Sequence, residues 1–246
     1  MARKLAGTCL VLLLGGGLLF LCYEALGHSG FFQIVAIDIK GCERIDKDEI
    51  LEMSGVSIHS NLIKISRRRV RERVEGHRWV EGARVTGVWP DRLIISVRER
   101  APVALINLDD GLHYIDKSGT VFAPLTASAD LDYPVISGWT GGKGEGESDY
   151  AVVLQEALQI IKYAGRDNPN LPVQNISEIR IADNSVVMFL TDRPFPIRLG
   201  RGEMWTKYIR LTKVLYWLYK RKEFQGVAYI DADYGDDRIL IGMDGG

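Results

Sequence analysis

Cysteine is scarce in this sequence. There are three, Cys9, Cys22 and Cys42, and the first two fall in an N-terminal apolar stretch. Only Cys42 belongs to a region that would fold, so no intramolecular disulfide is available there. A lone thiol of this kind is expected to be a small apolar residue and not a reactive group. Net charge is missing too: the formal value is -1 over 246 residues. That argues against bulk nucleic-acid binding, which needs a basic domain. The histidines, His28, His59, His77 and His113, stand singly, without H-E-x-x-H or Cys/His spacing, so no metal site is expected. No G-x-S-x-G elbow occurs, and no Ser-x-x-Lys lies beside other β-lactamase-type motifs. Gly138 to Gly144 reads G-W-T-G-G-K-G, one residue short of a phosphate loop and with no Ser or Thr after Lys143. Asp231, Asp233, Asp236 and Asp237 lack the loop spacing that surrounds calcium with oxygens. These gaps point away from an enzyme and away from any cofactor.

One long apolar run is present. Arg3 and Lys4 precede Leu5 to Tyr23, which holds no charge, and Glu24 ends it. About 19 residues at roughly 1.5 Å each reach ~28 Å, close to the bilayer hydrocarbon thickness. The run is therefore expected to be a transmembrane helix over 5–26, with Leu5, Leu10, Leu14, Leu19 and Tyr23 along it, after a cytoplasmic tail of residues 1–4. The basic start should stay in the cytoplasm, which puts everything after Gly27 outside it. The competing reading is a cleavable signal peptide, but Ala25 has Tyr23 and not a small residue two before it. Gly15, Gly16 and Gly17 suit close approach of another helix, or simply reflect the frequency of glycine in membrane helices.

From Phe31 the pattern changes, and Ile34 to Lys40 reads as a strand. Val35, Ile37 and Ile39 alternate through it, and Gly41 ends it. Asp46 and Glu49 have capping-box spacing, Ile45 and Ile50 can form a hydrophobic staple, and Gly55 stops the helix. A second helix is expected from near Ser66 to Glu75, with Val70 and Val74 inward. Ala83–Val88, the turn Trp89-Pro90-Asp91 and Leu93–Arg100 complete a β-α-α-β-β order. Arg67, Arg68, Arg69, Arg71 and Arg73 form a basic cluster that reads as a solvated helix face partly neutralised by Glu72 and Glu75, with lipid headgroups or acidic segments as the functional alternative.

After Pro102 the pattern is β-rich. Strands are expected at Val103–Asn107, Leu112–Ile115, Val121–Phe122, Val135–Ile136, Ile176–Ile181, Val186–Leu190, Val227–Asp231 and Arg238–Ile241. Pro194 and Pro196 interrupt a further piece that resumes at Ile197. Gly141 to Ser148 reads as a loop and Ala151 to Ala164 as an amphipathic helix. A long helix spans about Glu203–Lys222, with Trp205, Ile209, Thr212, Leu215, Tyr216 and Tyr219 on one face and Lys220, Arg221 and Lys222 suiting its C-terminal dipole. The fold class is thus α+β: an N-terminal transmembrane helix, a β-α-α-β-β domain over 31–101, and a mixed β-sheet domain with two helices over 102–246.

The stretch V-x-G-V-W-P-D-R-L-I-I-S-V-R-E-R-x-P-V-A (Val85 to Ala104), together with L-H-Y-I-D-K-S-G-T-V-F (Leu112 to Phe122), P-V-I-S-G (Pro134 to Gly138) and G-V-A-Y-I-D-A-D-Y (Gly226 to Tyr234), resembles the bacterial cell-division family FtsQ/DivIB. The first domain then corresponds to that family's POTRA domain. The resemblance implies a divisome scaffold, single-pass type II in the inner membrane, with its C-terminal domain in the periplasm and enriched at the septum. It implies that the C-terminal strand region binds FtsB/DivIC paired with FtsL, a role carried onto Asp233, Tyr234, Arg238, Ile239, Leu240 and Ile241. FtsK, FtsW and the septal synthase FtsI are further implied partners. One departure stands out: the family often carries D-L-R-Y where this chain has Asp231-Ala232-Asp233-Tyr234. The alternative function is a POTRA-bearing envelope assembly factor; an anchored envelope enzyme lacks a catalytic constellation.

Overall fold

The computed structural model describes residues 14–17, 30–126, 132–139, 147–166, 168–235 and 238–243, with the backbone alone for 147–150. Of the expected membrane run, Leu5, Leu10, Leu19 and Tyr23 lie outside the described residues. Residues 14–17 are helical and Leu14 is exposed. Among the described residues no helix is long and apolar enough to cross a membrane. The chain divides into two compact units, Met1–Arg100 and Ala101–Gly246.

The first unit has the order β1 (Ala36–Lys40), α1 (Lys47–Ser54), α2 (Arg67–Glu75), β2 (Val80–Val88) and β3 (Arg92–Glu99). β3 lies central, parallel to β1 and antiparallel to β2. Asp46 caps α1 as expected, but its carboxylate accepts from Asp48 N at 3.0 Å. The Glu49 carboxylate sits 3.2 Å from His77 Nε2, so the reciprocal half of the capping box is replaced by a tertiary contact. The staple pair Ile45 and Ile50 is buried, and Gly55 ends the helix in the left-handed region that glycine adopts at no steric cost. Ser66 caps α2, whose Val70 and Val74 face the core. The expected first strand began at Ile34; the structure starts it at Ala36 because residues 32–35 instead bond to the 59–62 segment and to the β2–β3 turn.

The second unit is built on a nine-stranded mixed sheet in the order β12-β11-β10-β9-β8-β7-β4-β5-β6. Its strands are β4 (Pro102–Leu108), β5 (Gly111–Asp116), β6 (Val121–Pro124), β7 (Val135–Ser137), β8 (Ile176–Ala182), β9 (Ser185–Leu190), β10 (Arg193–Gly200), β11 (Val227–Asp231) and β12 (Leu240–Met243). Helices α3 (Glu147–Ala164) and α4 (Met204–Arg221) pack on one another, and their apolar stripes share a single core with the sheet. The Asp183-Asn184 turn has both residues at positive φ, the twist-matched geometry of a tight hairpin.

Three sequence expectations are corrected here. α3 begins at Glu147, so Glu147 and Ser148 are helical and not part of a loop; 140–146 lie outside the described residues. Pro194 and Pro196 lie inside β10, and the ladder to β9 is registered at Arg193 and resumes at Ile197. The prolines, which have no N–H to donate, occupy that irregular stretch. Most consequential, the inward face of α4 is Met204, Lys207, Tyr208, Leu211, Thr212, Leu215 and Leu218. Of the face expected to group Trp205, Ile209, Thr212, Leu215, Tyr216 and Tyr219, Thr212 and Leu215 are buried, whereas Trp205 and Tyr216 are about half exposed. The helix carries an aliphatic stripe and an aromatic stripe, and the close-packed core takes the aliphatic one.

Candidate functional site

β12 lies at one end of the nine-stranded sheet, paired on one side with β11 in antiparallel register. The strand begins two residues later than expected, so Arg238 and Ile239 precede it while Leu240 and Ile241 belong to it. Arg238 is exposed, and Ile239 and Ile241 are half-buried against the core. Tyr234 is exposed in the turn before residues 236–237, which lie outside the described set. The structure therefore gathers the expected residues along one sheet edge and the turn that leads into it.

Asp233 has a different setting from its neighbours. Its Oδ1 accepts from Lys207 Nζ at 2.5 Å, and the same ammonium donates to Leu199 O at 3.0 Å and Arg201 O at 2.5 Å. Lys207 is only 8% exposed, and a buried ammonium requires such partners. The network fastens the end of β10 and the start of α4 to the turn after β11. From the other side, Glu156 of α3 accepts from Gly202 N at 2.9 Å and its second oxygen lies 3.1 Å from Arg201 Nε. Gly200 has a φ of 61°, and the Asp233 carboxylate fills the space where a side chain would start. The acid in Asp231-Ala232-Asp233-Tyr234 is thus matched within this chain by Lys207.

Two further residues hold β12, and sequence reasoning passed over both. Tyr229 of β11 stands opposite Gly242, and a Cβ at position 242 would collide with the Tyr229 ring. Arg198 stacks on that ring at 5.1 Å. The ring thus covers a bare backbone in the edge strand, as aromatic residues do beside edge glycines. An isolated glycine in a strand was the available signal for a close approach.

Beside the edge runs an apolar groove of about 740 Å³ between α4 and β12, walled by Val214, Trp217, Leu218, Ile241 and Met243, with Lys213 and Lys222 among its lining residues. Trp217 and Met243 are each about half exposed or more, and the Arg221 guanidinium lies 3.4 Å from the Trp217 ring centroid. Two tyrosines of α4 are held as phenols. Burial pushes Tyr208 up to about 12, and its hydroxyl donates to Leu171 O at 3.0 Å. Burial, then the hydrogen bond to Asp192, takes Tyr219 to about 12. In the first unit the Cys42 thiol is pushed up by burial first and by Glu99 second, which disfavours the nucleophilic thiolate.

A sheet edge with no further strand among the described residues, flanked by an apolar groove, has a geometry that an added strand can use. The family description of a POTRA domain of the FtsQ type matches residues 32–100, and that of the C-terminal region of the cell-division proteins FtsQ/DivIB matches 104–233. The chain is 30% identical to the cell division protein FtsQ of Syntrophotalea carbinolica across 100% of this chain and 87% of that one. It is 29% identical to the FtsQ of Geotalea daltonii, covering 89% of this chain and 78% of the relative. With the FtsQ of an Anaeromyxobacter species it shares 28%, over 94% and 78% respectively. The chain belongs to the FtsQ/DivIB family of cell-division proteins.

Proposed function

We propose that this chain is a divisome scaffold that acts by binding and not by catalysis. In this reading the N-terminal apolar run anchors it as a single-pass type II protein of the inner membrane, with both units in the periplasm at the septum. Its C-terminal edge takes up the periplasmic segment of FtsB/DivIC, which arrives paired with FtsL. The first unit contributes to recruitment, through FtsK, FtsW or the septal synthase FtsI. The observation that carries the reading is the position of β12 at the end of the sheet beside the α4 groove. A strand added there gains main-chain hydrogen bonds, and its alternate side chains give specificity. Apolar ones fit against Trp217 and Met243, and acidic ones suit Lys213 and Lys222.

The test is the affinity of the full chain, in nanodiscs, for the periplasmic segment of its own host's FtsB/DivIC. Gly242→Val displaces the Tyr229 ring and distorts the edge strand; binding is expected to weaken tenfold or more, about 1.4 kcal/mol. Trp217→Ala leaves the strand in place and removes one groove wall, with a smaller loss. Unchanged affinity in both variants would sink the edge-strand reading. Depletion in the host should give long filaments with segregated nucleoids. Normal cell length with outer-membrane defects would favour the envelope assembly factor instead.

A further inference from the structure

The first unit exposes large apolar side chains at one end. Phe31, Val35, Ile58, Val88 and Trp89 are between 41% and 67% exposed. They come from three stretches that the backbone binds together: Ile34 N donates to Ser60 O at 2.9 Å, His59 N to Ile34 O at 2.8 Å, Leu62 N to Phe32 O at 2.8 Å, and Val35 N to Asp91 O at 2.9 Å. Aromatic contacts stiffen the cluster. Phe32 meets Phe31 edge-on at 5.0 Å and Trp89 edge-on at 5.2 Å. Arg67, the first residue of α2 and exposed, lays its guanidinium against Gly87 at the same end of β2. Exposed apolar groups gathered in this way mark a contact site and not ordinary surface.

Chain length indicates what the site touches. The uncharged run ends at Tyr23 and its expected helix at residue 26. Five residues of fully extended chain span at most ~18 Å, so Phe31 is tethered close to the bilayer surface. Trp and Phe side chains with a basic neighbour are the composition favoured at the headgroup level, where the ring is half in hydrocarbon and the cation meets anionic lipid. We infer that this end of the first unit is a membrane foot: Trp89, Phe31, Val35 and Ile58 seat in the headgroup layer of the bilayer in which the chain is anchored, and Arg67 faces its anionic lipids. The foot rests on the proposed anchor. It holds the first unit against the membrane and fixes its orientation there.

The full chain in vesicles of phosphatidylethanolamine and phosphatidylglycerol, the latter brominated on its acyl chains, tests the foot. Trp89 emission is expected to be quenched; the quenchable fraction disappears in Trp89→Phe, survives in Trp217→Phe, and falls by half or more in Ile58→Asp. Alkaline extraction separates the two ideas. A chain that resists extraction while Trp89 stays unquenched overturns the foot and leaves the anchor standing. A chain washed off the vesicles overturns both. Unquenched Trp89 with cross-links formed between copies at position 89 assigns the face to a second copy and also overturns the foot.

Discussion

The two units each fasten a turn with one charged side chain, and the charges are opposite in sign. In the first unit the Glu99 carboxylate accepts from the backbone amides of Glu43, Arg44 and Ile45 at 2.9 to 3.1 Å. In the second the Lys207 ammonium donates to the carbonyls of Leu199 and Arg201 and to Asp233. An anion collects orphan N–H groups where the chain approaches α1; a cation collects orphan C=O groups where it leaves β10. The difference lies in what each turn controls. The Glu99 turn closes a small core. The Lys207 turn sets the path from β11 toward β12, and so the edge on which partner binding is proposed.

The largest effect is expected from Lys207→Met. It keeps the stem that packs in the core but leaves two carbonyls and a carboxylate without their donor. Hydrogen bonds to charged groups contribute roughly 1.5–3 kcal/mol each, and unpaired buried acceptors add their own cost. We expect a loss of about 2–3 kcal/mol in the second unit. Hydrogen exchange of the Ala232 and Leu240–Met243 amides should accelerate at least tenfold while the first unit is unaffected. Exchange that stays at wild-type rates would show that the ammonium is not what fixes this turn.

In the first unit the corresponding change is Glu99→Gln. Burial alone would raise the Glu99 carboxyl, but the amides of Ile45, Glu43 and Arg44, with the Arg44 charge, hold it below the usual 4.5. A carboxyl depressed in the folded state contributes stability that is fully present above its unfolded value. That contribution is lost as pH falls through the folded value. The wild type should therefore lose first-unit stability below about pH 4.5. Glu99→Gln should lose ~1–2 kcal/mol at neutral pH and show a flatter acid limb in denaturant titrations. Parallel acid limbs would remove Glu99 from the account.

Much of the first unit was legible because its signals are local. The Asp46 and Ser66 caps, the Gly55 stop and the alternation through Leu93, Ile95 and Val97 each act within a few residues, and the motif R-E-R contains Glu99 itself. The candidate site was legible only as a position: a terminal strand expected at a sheet edge, displaced by two residues. What supports it is made of long-range pairs. Nothing near Lys207 in sequence announces that it is buried, since its partners are the carbonyls of Leu199 at the end of β10 and of Arg201 just after it, and a carboxylate 26 residues away. The sequence grouped one face of α4 without saying whether it is inward, and only packing against α3 and the sheet shows which residues are buried. Tyr229 and Gly242 meet through a register that no local pattern encodes.

Asp233→Asn is the smallest and most discriminating change. The Asp233 side chain is 50% exposed while Lys207 is 10% exposed, so water screens one end of the pair and its removal should cost only ~1 kcal/mol or less. The asparagine oxygen still accepts from Lys207, and the carbonyls of Leu199 and Arg201 keep the ammonium satisfied. If Asp233 serves to position the turn, Asp233→Asn should bind the FtsB/DivIC segment nearly as well as the wild type, and Asp233→Arg, which sets two cations together, should weaken it severalfold. Should Asp233→Asn alone abolish binding while the Leu240–Met243 amides exchange normally, Asp233 contacts the partner directly, and the match with Lys207 is only half of its role.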